Sequence, residues 1–356
     1  MVKPYYAVKC NPESWLISWL ASYGAGFDCA SVREIGIVKQ VDSKAPIVYA
    51  NPCKKRDDIL YGRVHGSVNT TVIDSHEELD KLAELGWSGN SLLRISVDDS
   101  GSMMPFSAKF GADVGSVKHM AKYAQIKGQS LAGISFHVGS GCKDAEQYKK
   151  AIVASQKSIQ ILRAAGHDAS IIDIGGGFTN EDFIQSSKII QNTYIPDDIT
   201  MIAEPGRFFA ATSQDLFVQV IGKKPGKKGW RYTLDESLYG QFSCIPFDHA
   251  RPKWIRVRAR GEAARASTPA ILYGRTCDSV DYIASADCEE LMEGDWLWFP
   301  HMGAYTTVTS TEFNGFPKPP THIAESHCAY QLPDPKELSG WPTNTKYVSA
   351  VKVPSS

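Results

Sequence analysis

The stretch Ser170-Ile-Ile-Asp-Ile-Gly-Gly-Gly-Phe178 reads as a strand that ends abruptly in a turn. The isoleucines suit an extended, packed backbone, and three glycines in a row release the chain from it. Working outward, the same phrase recurs through the first two hundred residues: a short β-branched or aromatic run, a polar or glycine turn, then an amphipathic stretch of helical length. The spacing predicts strands over Tyr5–Lys9, Gly26–Ala30, Ile47–Ala50, Thr70–Asp74, Leu92–Val97, Leu131–Val138, Ser170–Gly175 and Met201–Gly206. Helices are predicted between them, among them Pro12–Ser22, His76–Gly86, Ser116–Lys127 and Ala145–Ala165. Eight such units predict an α/β fold, a closed (β/α)8 TIM-type barrel over residues 1–214.

A barrel of this kind turns the ends of its strands toward one mouth. Those ends carry Lys9, Asp28, Asn51, Asp74, Arg94, His137, the glycines after Asp173, and Glu204. Any one of them could be a helix cap or a salt-bridge member. Eight strand ends so furnished, converging on one mouth, mark it as the candidate site. After residue 214 the texture changes to strand-like runs, Leu216–Ile221, Trp230–Leu234, Ala270–Tyr273, Asp295–Phe299 and Thr306–Thr309, separated by Gly, Pro and charged turns. Residues 215–356 are therefore predicted to form a β-sheet or β-barrel domain.

Composition narrows the function classes. The chain has 356 residues, 43% of them apolar and 22% charged, enough to bury a large core. With 38 Lys plus Arg against 39 Asp plus Glu, no global positive field favours nucleic acid or an anionic membrane, and a small-molecule ligand is expected. The basic segments Lys223–Arg231 and Arg251–Arg265 read as solvated loops. No apolar run is long enough for a membrane span and no signal peptide opens the chain, which predicts a cytoplasmic protein. Eight cysteines lie scattered without CxxC pairs, and nine histidines do not cluster with them. Reduced, mostly buried thiols and no metal are expected.

Three neighbouring strand ends carry the chemistry. Gly175, Gly176 and Gly177 could let backbone N–H groups approach a phosphate, or could be only a tight turn. Glu204-Pro-Gly-Arg207 adds a carboxylate and a guanidinium, and His137-Val-Gly-Ser140 an aromatic ring. Lys9 closes the first strand, where it could form a Schiff base or merely snorkel to solvent. A lysine, a phosphate cradle and a carboxylate are the parts that a pyridoxal cofactor needs.

These residues resemble the eukaryotic-type ornithine decarboxylases, pyridoxal-phosphate enzymes of alanine-racemase-like fold. The likeness runs through Tyr5-Tyr-Ala-Val-Lys-Cys-Asn11, Gly26-Phe-Asp-Cys-Ala-Ser31, Tyr49-Ala-Asn-Pro-Cys-Lys54, Ser135-Phe-His-Val-Gly-Ser-Gly-Cys142, Asp173-Ile-Gly-Gly-Gly-Phe178 and Ala203-Glu-Pro-Gly-Arg207. It continues through Phe247-Asp-His249, Thr276-Cys-Asp278, Met302-Gly-Ala-Tyr305 and Phe313-Asn-Gly-Phe316. The resemblance implies that Lys9 carries pyridoxal 5'-phosphate as an imine, that Glu204 keeps the pyridine nitrogen protonated, and that His137 stacks on the ring. It further implies a phosphate group of Ser140, Gly175, Gly176, Gly177, Arg207 and Tyr305, with Asp28 and Arg94 lining the cofactor pocket and Glu34 supporting them. Asp248 and Asp278 would bracket the distal amine of a basic amino acid, and Cys277 would protonate the product carbon. Tyr239 and Phe313 would line the pocket or an interface.

Family members place Cys277 and Asp278 in the partner subunit's site, so a homodimer is implied, with Lys109 and Asp281 pairing across the interface. Ornithine is the expected substrate. Siblings acting on lysine, arginine, diaminopimelate or an alkaloid precursor are the alternatives, and so is a non-catalytic relative that binds an antizyme-like regulator. The chain departs from the family in three places. It starts a few residues before the lysine, which suggests a truncation that would leave a sheet edge unpaired and a barrel strand uncovered. The usual Trp-Gly-Pro reads Tyr273-Gly-Arg275, and the usual Asp-Gly turn reads Glu236-Ser237. The tail from Pro317, with Trp341, matches nothing in the family.

Overall fold

In the computed structural model, residues 2–227 and 229–322 are described. Cys328 and Trp341 lie outside them. The chain divides into two compact units, Met1–Ala211 and Thr212–Ser356.

The first unit alternates strands and helices. Its strands are β1 (Val2–Ala7), β2 (Gly26–Cys29), β3 (Ile47–Tyr49), β4 (Thr70–Ile73), β5 (Asn90–Arg94), β6 (Ser102–Met104), β7 (Leu131–Ser135), β8 (Ser140–Cys142), β9 (Ile171–Asp173) and β10 (Thr200–Ala203). Its helices are α1 (Ser14–Ser22), α2 (Val32–Val41), α3 (Arg56–Val64), α4 (His76–Glu84), α5 (Val117–Ile126), α6 (Glu146–Ala164), α7 (Phe183–Asn192) and the short α8 (Arg207–Ala210). Eight strands close a barrel in the order β1-β10-β9-β7-β5-β4-β3-β2, every pair parallel. β6 and β8 form a separate antiparallel ribbon.

The strands are short and buried on both faces, as a parallel sheet wrapped by helices requires. All five residues of β7 are buried. Val48, Val72, Leu92, Ala132 and Ile202 pack together with Tyr5, Ala50 and Ile171, so that side chains from seven strands form one cluster. Serines start two of the helices. Ser31 accepts the N–H of Glu34 and Ser75 that of Glu78. Each Glu stands where a capping box would turn it back onto the serine. Instead Glu34 accepts the N–H of Ala30 at 2.7 Å, and Glu78 pairs with Lys54 at 2.9 Å and Lys81 at 2.5 Å.

Strand ends differ from expectation in ways that matter for the site. β1 stops at Ala7, and Lys9 sits in a 3-10 turn, Val8–Cys10. Asn11 N–H donates to Val8 O, and the Tyr6 hydroxyl donates to Asn11 O at 2.9 Å, which draws the chain into the turn. β10 stops at Ala203 because the next N–H, that of Glu204, donates to Gly175 O at 2.7 Å and Pro205 has none to give.

The second unit is an open six-stranded sheet. Its strands are β11 (Leu216–Gly226), β12 (Gly229–Leu234), β13 (Ile255–Arg256), β14 (Ser267–Tyr273), β15 (Tyr282–Glu289) and β16 (Trp296–Phe299), in the order β13-β16-β11-β12-β14-β15. One short helix, α9 (Cys244–Asp248), packs in this unit. Leu216, Val218, Val220, Tyr232, Leu234, Leu272, Leu297 and Phe299 are its core.

Two expectations for this unit fail. Thr306–Thr309 is a turn, because Thr306 and Thr309 turn their hydroxyls onto the carbonyls of Met302 and Tyr305, four residues back. Such local bonds compete with a ladder. The ends of the basic segment Lys223–Arg231 are no loop but run through β11 and β12, and Arg251–Arg265, largely exposed loop, is anchored at Arg256 in β13. Arg256 is buried and pairs with Glu262 at 2.6 Å and Glu289 at 3.0 Å, Arg258 joins it on Glu289, and Arg265 pairs with Asp295 at 2.5 Å.

Candidate active site

Lys9 leaves its turn half-exposed and meets Asp28 of β2 at 2.6 Å, a carboxylate with no exposed side-chain surface. β1 and β2 pair in the register Ala7↔Asp28, which sets these two side chains within reach. Asp28 Oδ1 is buried without a partner. A buried, partly unmatched carboxylate fixes where the ammonium goes.

The glycine turn is held from both sides. Gly175 N–H donates to Asp173 Oδ1 at 2.9 Å, and the Tyr148 hydroxyl donates to Gly176 O at 2.8 Å. Gly177 O accepts from Cys142 N–H. The three carbonyls are thus taken by Glu204, Tyr148 and Cys142, while no hydrogen bond among the described residues uses the N–H of Gly176 or Gly177. Donors left over beside glycines suit an anion. A Cβ on Gly177, whose φ is +98°, would meet Gly139 O at 2.5 Å, so glycine is required there. Ser140 opens β8 next to this turn, and Arg207 opens α8 two residues beyond Pro205.

Glu204 and Asp173 form a carboxyl pair on adjacent strand ends, joined by a side-chain hydrogen bond. Asp173 also accepts the Ser135 hydroxyl at 3.0 Å and is raised to about 6, mainly by burial. Glu204 is held well above the ordinary carboxyl range by burial first, then by Asp173 and Asp28. Asp173 accepts two other bonds and Glu204 Oε1 accepts none, so the shared proton resides on Glu204. Among the expected roles Asp173 had only that of opening the glycine motif. Its acid function is a spatial signal, carried by the register Ile202↔Asp173 between β10 and β9.

His137 Nδ1 accepts the N–H of Gly139 at 3.0 Å, which assigns the ring proton to Nε2. Burial, with Arg94 and Lys9 nearby, holds this imidazole well below its ordinary value, so it is neutral. Phe106 meets it edge-on at 4.9 Å. Arg94 ends β5 over the Phe110 ring at 4.9 Å; burial lowers it, while Glu204, Asp74, Asp173 and Asp28 favour its charge. Thus Lys9, Asp28, Arg94, His137, Glu204 and the unexpected Asp173 share one electrostatic neighbourhood.

The second unit assembles its own group. Tyr239 donates its hydroxyl to Asp278 at 2.5 Å and stacks on Phe313 with centroids 4.2 Å apart. That bond holds Asp278 below the usual carboxylate range. Cys277 is exposed, and its N–H donates to Asn314 Oδ1 at 3.1 Å. Asp248 is buried at the end of α9, followed by His249 at φ +53°. Tyr305 (+55°) and Asn314 (+57°) also hold left-handed backbone, strain that collects at residues singled out for function. Asp281, expected at a subunit interface, makes its hydrogen bonds here within the chain. It is buried within the chain, accepting Leu238 N–H, Thr276 N–H and the Thr276 hydroxyl at 2.6 Å.

Comparison with known proteins identifies the chemistry. Residues 1–211 match the family model for the pyridoxal-dependent decarboxylase, pyridoxal binding domain. The chain is 39% identical over 343 residues to an ornithine decarboxylase of Caenorhabditis elegans, covering 90% of this chain and 81% of that one. It is 38% identical over 355 residues to antizyme inhibitor 2 of Xenopus laevis, covering 93% and 77%. A solved arginine decarboxylase from Paramecium bursaria Chlorella virus, bound to agmatine, superposes with a TM-score of 0.83 at 36% identity, over 88% of this chain and 87% of that one.

The cofactor is pyridoxal phosphate, and the residues fit it: glycine N–H donors for the phosphate, an orphaned buried carboxyl oxygen on Glu204 for the ring nitrogen, and an amine on Lys9. No helix among the described residues is long and apolar enough to cross a membrane. With residues 1–211 matched to the family's binding domain and its relatives similar over most of both chains, this chain belongs to the pyridoxal-dependent decarboxylase family.

Proposed function

We propose that this protein removes the α-carboxyl group of a small basic amino acid, ornithine first among the candidates, giving putrescine for polyamine synthesis in the cytoplasm. The observation that carries the reading is the set Lys9, glycine turn and protonated Glu204 around one neighbourhood, with an acid, Asp278, held anionic by Tyr239. The C. elegans relative supports ornithine as substrate.

When bound, pyridoxal phosphate supplies an aldehyde for the substrate amine and a ring that takes up the electron pair left on Cα as carbon dioxide departs. Lys9, steered by Asp28, brings the amine that holds the cofactor. Gly176 and Gly177 N–H groups, Ser140, Arg207 and Tyr305 bind the phosphate. Glu204 would hold a proton at the ring nitrogen, and neutral His137 would pack against the ring without adding charge. Asp248 and Asp278 bind the distal ammonium; desolvating a neutral or acidic side chain beside two carboxylates is unfavourable, which excludes such substrates. Cys277 delivers the proton to Cα. The active form is a homodimer in which Cys277 and Asp278 serve the partner's barrel.

Carbon dioxide release measured over ornithine, lysine, arginine and diaminopimelate tests this reading. Release from ornithine is expected to dominate; release from diaminopimelate alone would overturn the choice of a simple diamine product. The similarity to antizyme inhibitor 2 favours a second reading, a regulator that binds an antizyme-like protein. No release from any of the four, together with tight antizyme binding, would establish that one instead.

A further inference from the structure

Arg275 stands where the family's motif has proline, directly before Thr276-Cys277-Asp278. A proline there would stiffen the approach to the loop by fixing φ and reducing the freedom of the unfolded chain. An arginine offers neither, so the loop needs another source of rigidity.

The side chain supplies contacts to a different segment. Its Nη2 donates to Pro317 O at 3.0 Å, and its guanidinium lies 4.5 Å from the centroid of the Phe316 ring. Its backbone N–H donates to Glu236 O at 3.3 Å, in the second place where the chain departs from the family's pattern. Asp235 and Glu236 both feel its charge. Nε is buried without an acceptor, an unmatched donor that calls for a compensating role.

The same three segments meet again around the reactive residues. Thr311 N–H donates to Tyr239 O at 2.7 Å, Phe313 stacks on Tyr239, and Cys277 N–H donates to Asn314. Each of these contacts bridges two of three segments, the turn 311–317, the loop 275–278 and the turn 236–239. Arg275 adds a link from the first to the second through its side chain and from the second to the third through its backbone.

We propose that Arg275 is a positioning residue: by stacking on Phe316 and bonding Pro317 it clamps the 311–317 turn onto the loop that presents Cys277 and Asp278. The clamp fixes the separation between the Asp278 carboxylate and the Cys277 thiol, and with it the length of basic side chain that the site accepts. A planar guanidinium suits both duties, because it can stack and donate at once.

This inference rests on the decarboxylase reading for its meaning, but its test does not depend on turnover. Amide hydrogen exchange is followed in the full-length holoprotein for peptides covering 275–281 and 311–317, in wild type, Arg275→Ala and Arg275→Lys. Arg275→Ala is expected to speed exchange in both peptides by about tenfold or more while barrel peptides stay unchanged. Arg275→Lys, which keeps a cation over Phe316 and one donor, is expected to lie between. In steady state Arg275→Ala should raise KM for the best substrate more than it lowers kcat, and narrow the difference between ornithine and lysine. Unchanged exchange in both peptides, exchange raised equally throughout the chain, or Arg275→Lys as loose as Arg275→Ala would overturn the proposal. A protein with the expected exchange and no carbon dioxide release would overturn the decarboxylase reading alone.

Discussion

Replacing Gly177 with alanine tests the phosphate cradle by a known steric amount. At φ +98° an alanine is strained, and its Cβ would stand 2.5 Å from Gly139 O and 2.9 Å from the Tyr148 hydroxyl. Left-handed strain on a residue with a Cβ is about 1–2 kcal/mol. The turn must also move, which weakens the bond from Cys142 N–H to Gly177 O and that from Tyr148 to Gly176 O. Each contributes about 0.5–1.5 kcal/mol. The sum is about 2–5 kcal/mol, a large part of a domain's roughly 5–15 kcal/mol, yet compatible with a folded protein at low temperature. Gly24→Ala is the control, since its φ of +80° carries the same kind of strain with no atom within 4 Å of the added carbon. Urea unfolding gives the stability change, and an absorbance titration gives the affinity for pyridoxal phosphate. Gly177→Ala should lose more stability than Gly24→Ala and should bind the cofactor about tenfold more weakly or worse, because the N–H donors move with the turn. Equal stability losses in the two variants, with cofactor affinity untouched in both, would refute the cradle.

Further expectations concern the acids. Tyr239→Phe removes the bond that chiefly lowers Asp278, so its carboxylate should protonate at higher pH on acidification, and KM for a cationic substrate should begin to rise at higher pH than in wild type; superimposable pH profiles of KM would contradict this. Asp281→Ala deletes the acceptor of three hydrogen bonds, two from Thr276 in its own loop and one from Leu238, and should cost about 2–4 kcal/mol in urea unfolding, with loss of turnover following from the freed Cys277; a change under about 1 kcal/mol would mean that the loop is held otherwise. Asp173, raised from 3.8 to about 6, lends the cofactor-free protein stability that is complete below the unfolded value and lost as pH rises through the folded one. Unfolding midpoints should therefore fall between those values in wild type, and fall less in Asp173→Asn.

The barrel was legible because its strands are apolar runs bounded by glycine and polar turns, and the period of the helices between them is unambiguous. Strand ends were less so. Lys9 was placed in β1, but the bond from Tyr6 to Asn11 winds the chain into a turn first, a contact between side chain and carbonyl that no periodicity encodes. β13 has two residues and β15 carries charge on an exposed face, so neither shows an apolar alternation. Thr306–Thr309 looked extended because threonine favours strands in general; here its hydroxyls satisfy carbonyls of the same turn. In the site, the residue types at the strand ends were readable one by one, whereas the proton shared by Asp173 and Glu204 depends on strand register. Asp281 accepts three bonds within the chain, from Leu238 and Thr276, and burial of one carboxylate among three donors leaves no sequence trace.

The central claim is that Lys9 is the amine that holds the cofactor, and the chain offers its own competitor. Lys54 is buried beside Glu78, and burial lowers it from its ordinary value, which makes it a second amine capable of losing its proton. Borohydride reduction of the protein loaded with pyridoxal phosphate, followed by peptide mass mapping, separates the two. A phosphopyridoxyl adduct on the peptide containing Lys9 is predicted; the adduct on Lys54, or none at either, would contradict the account.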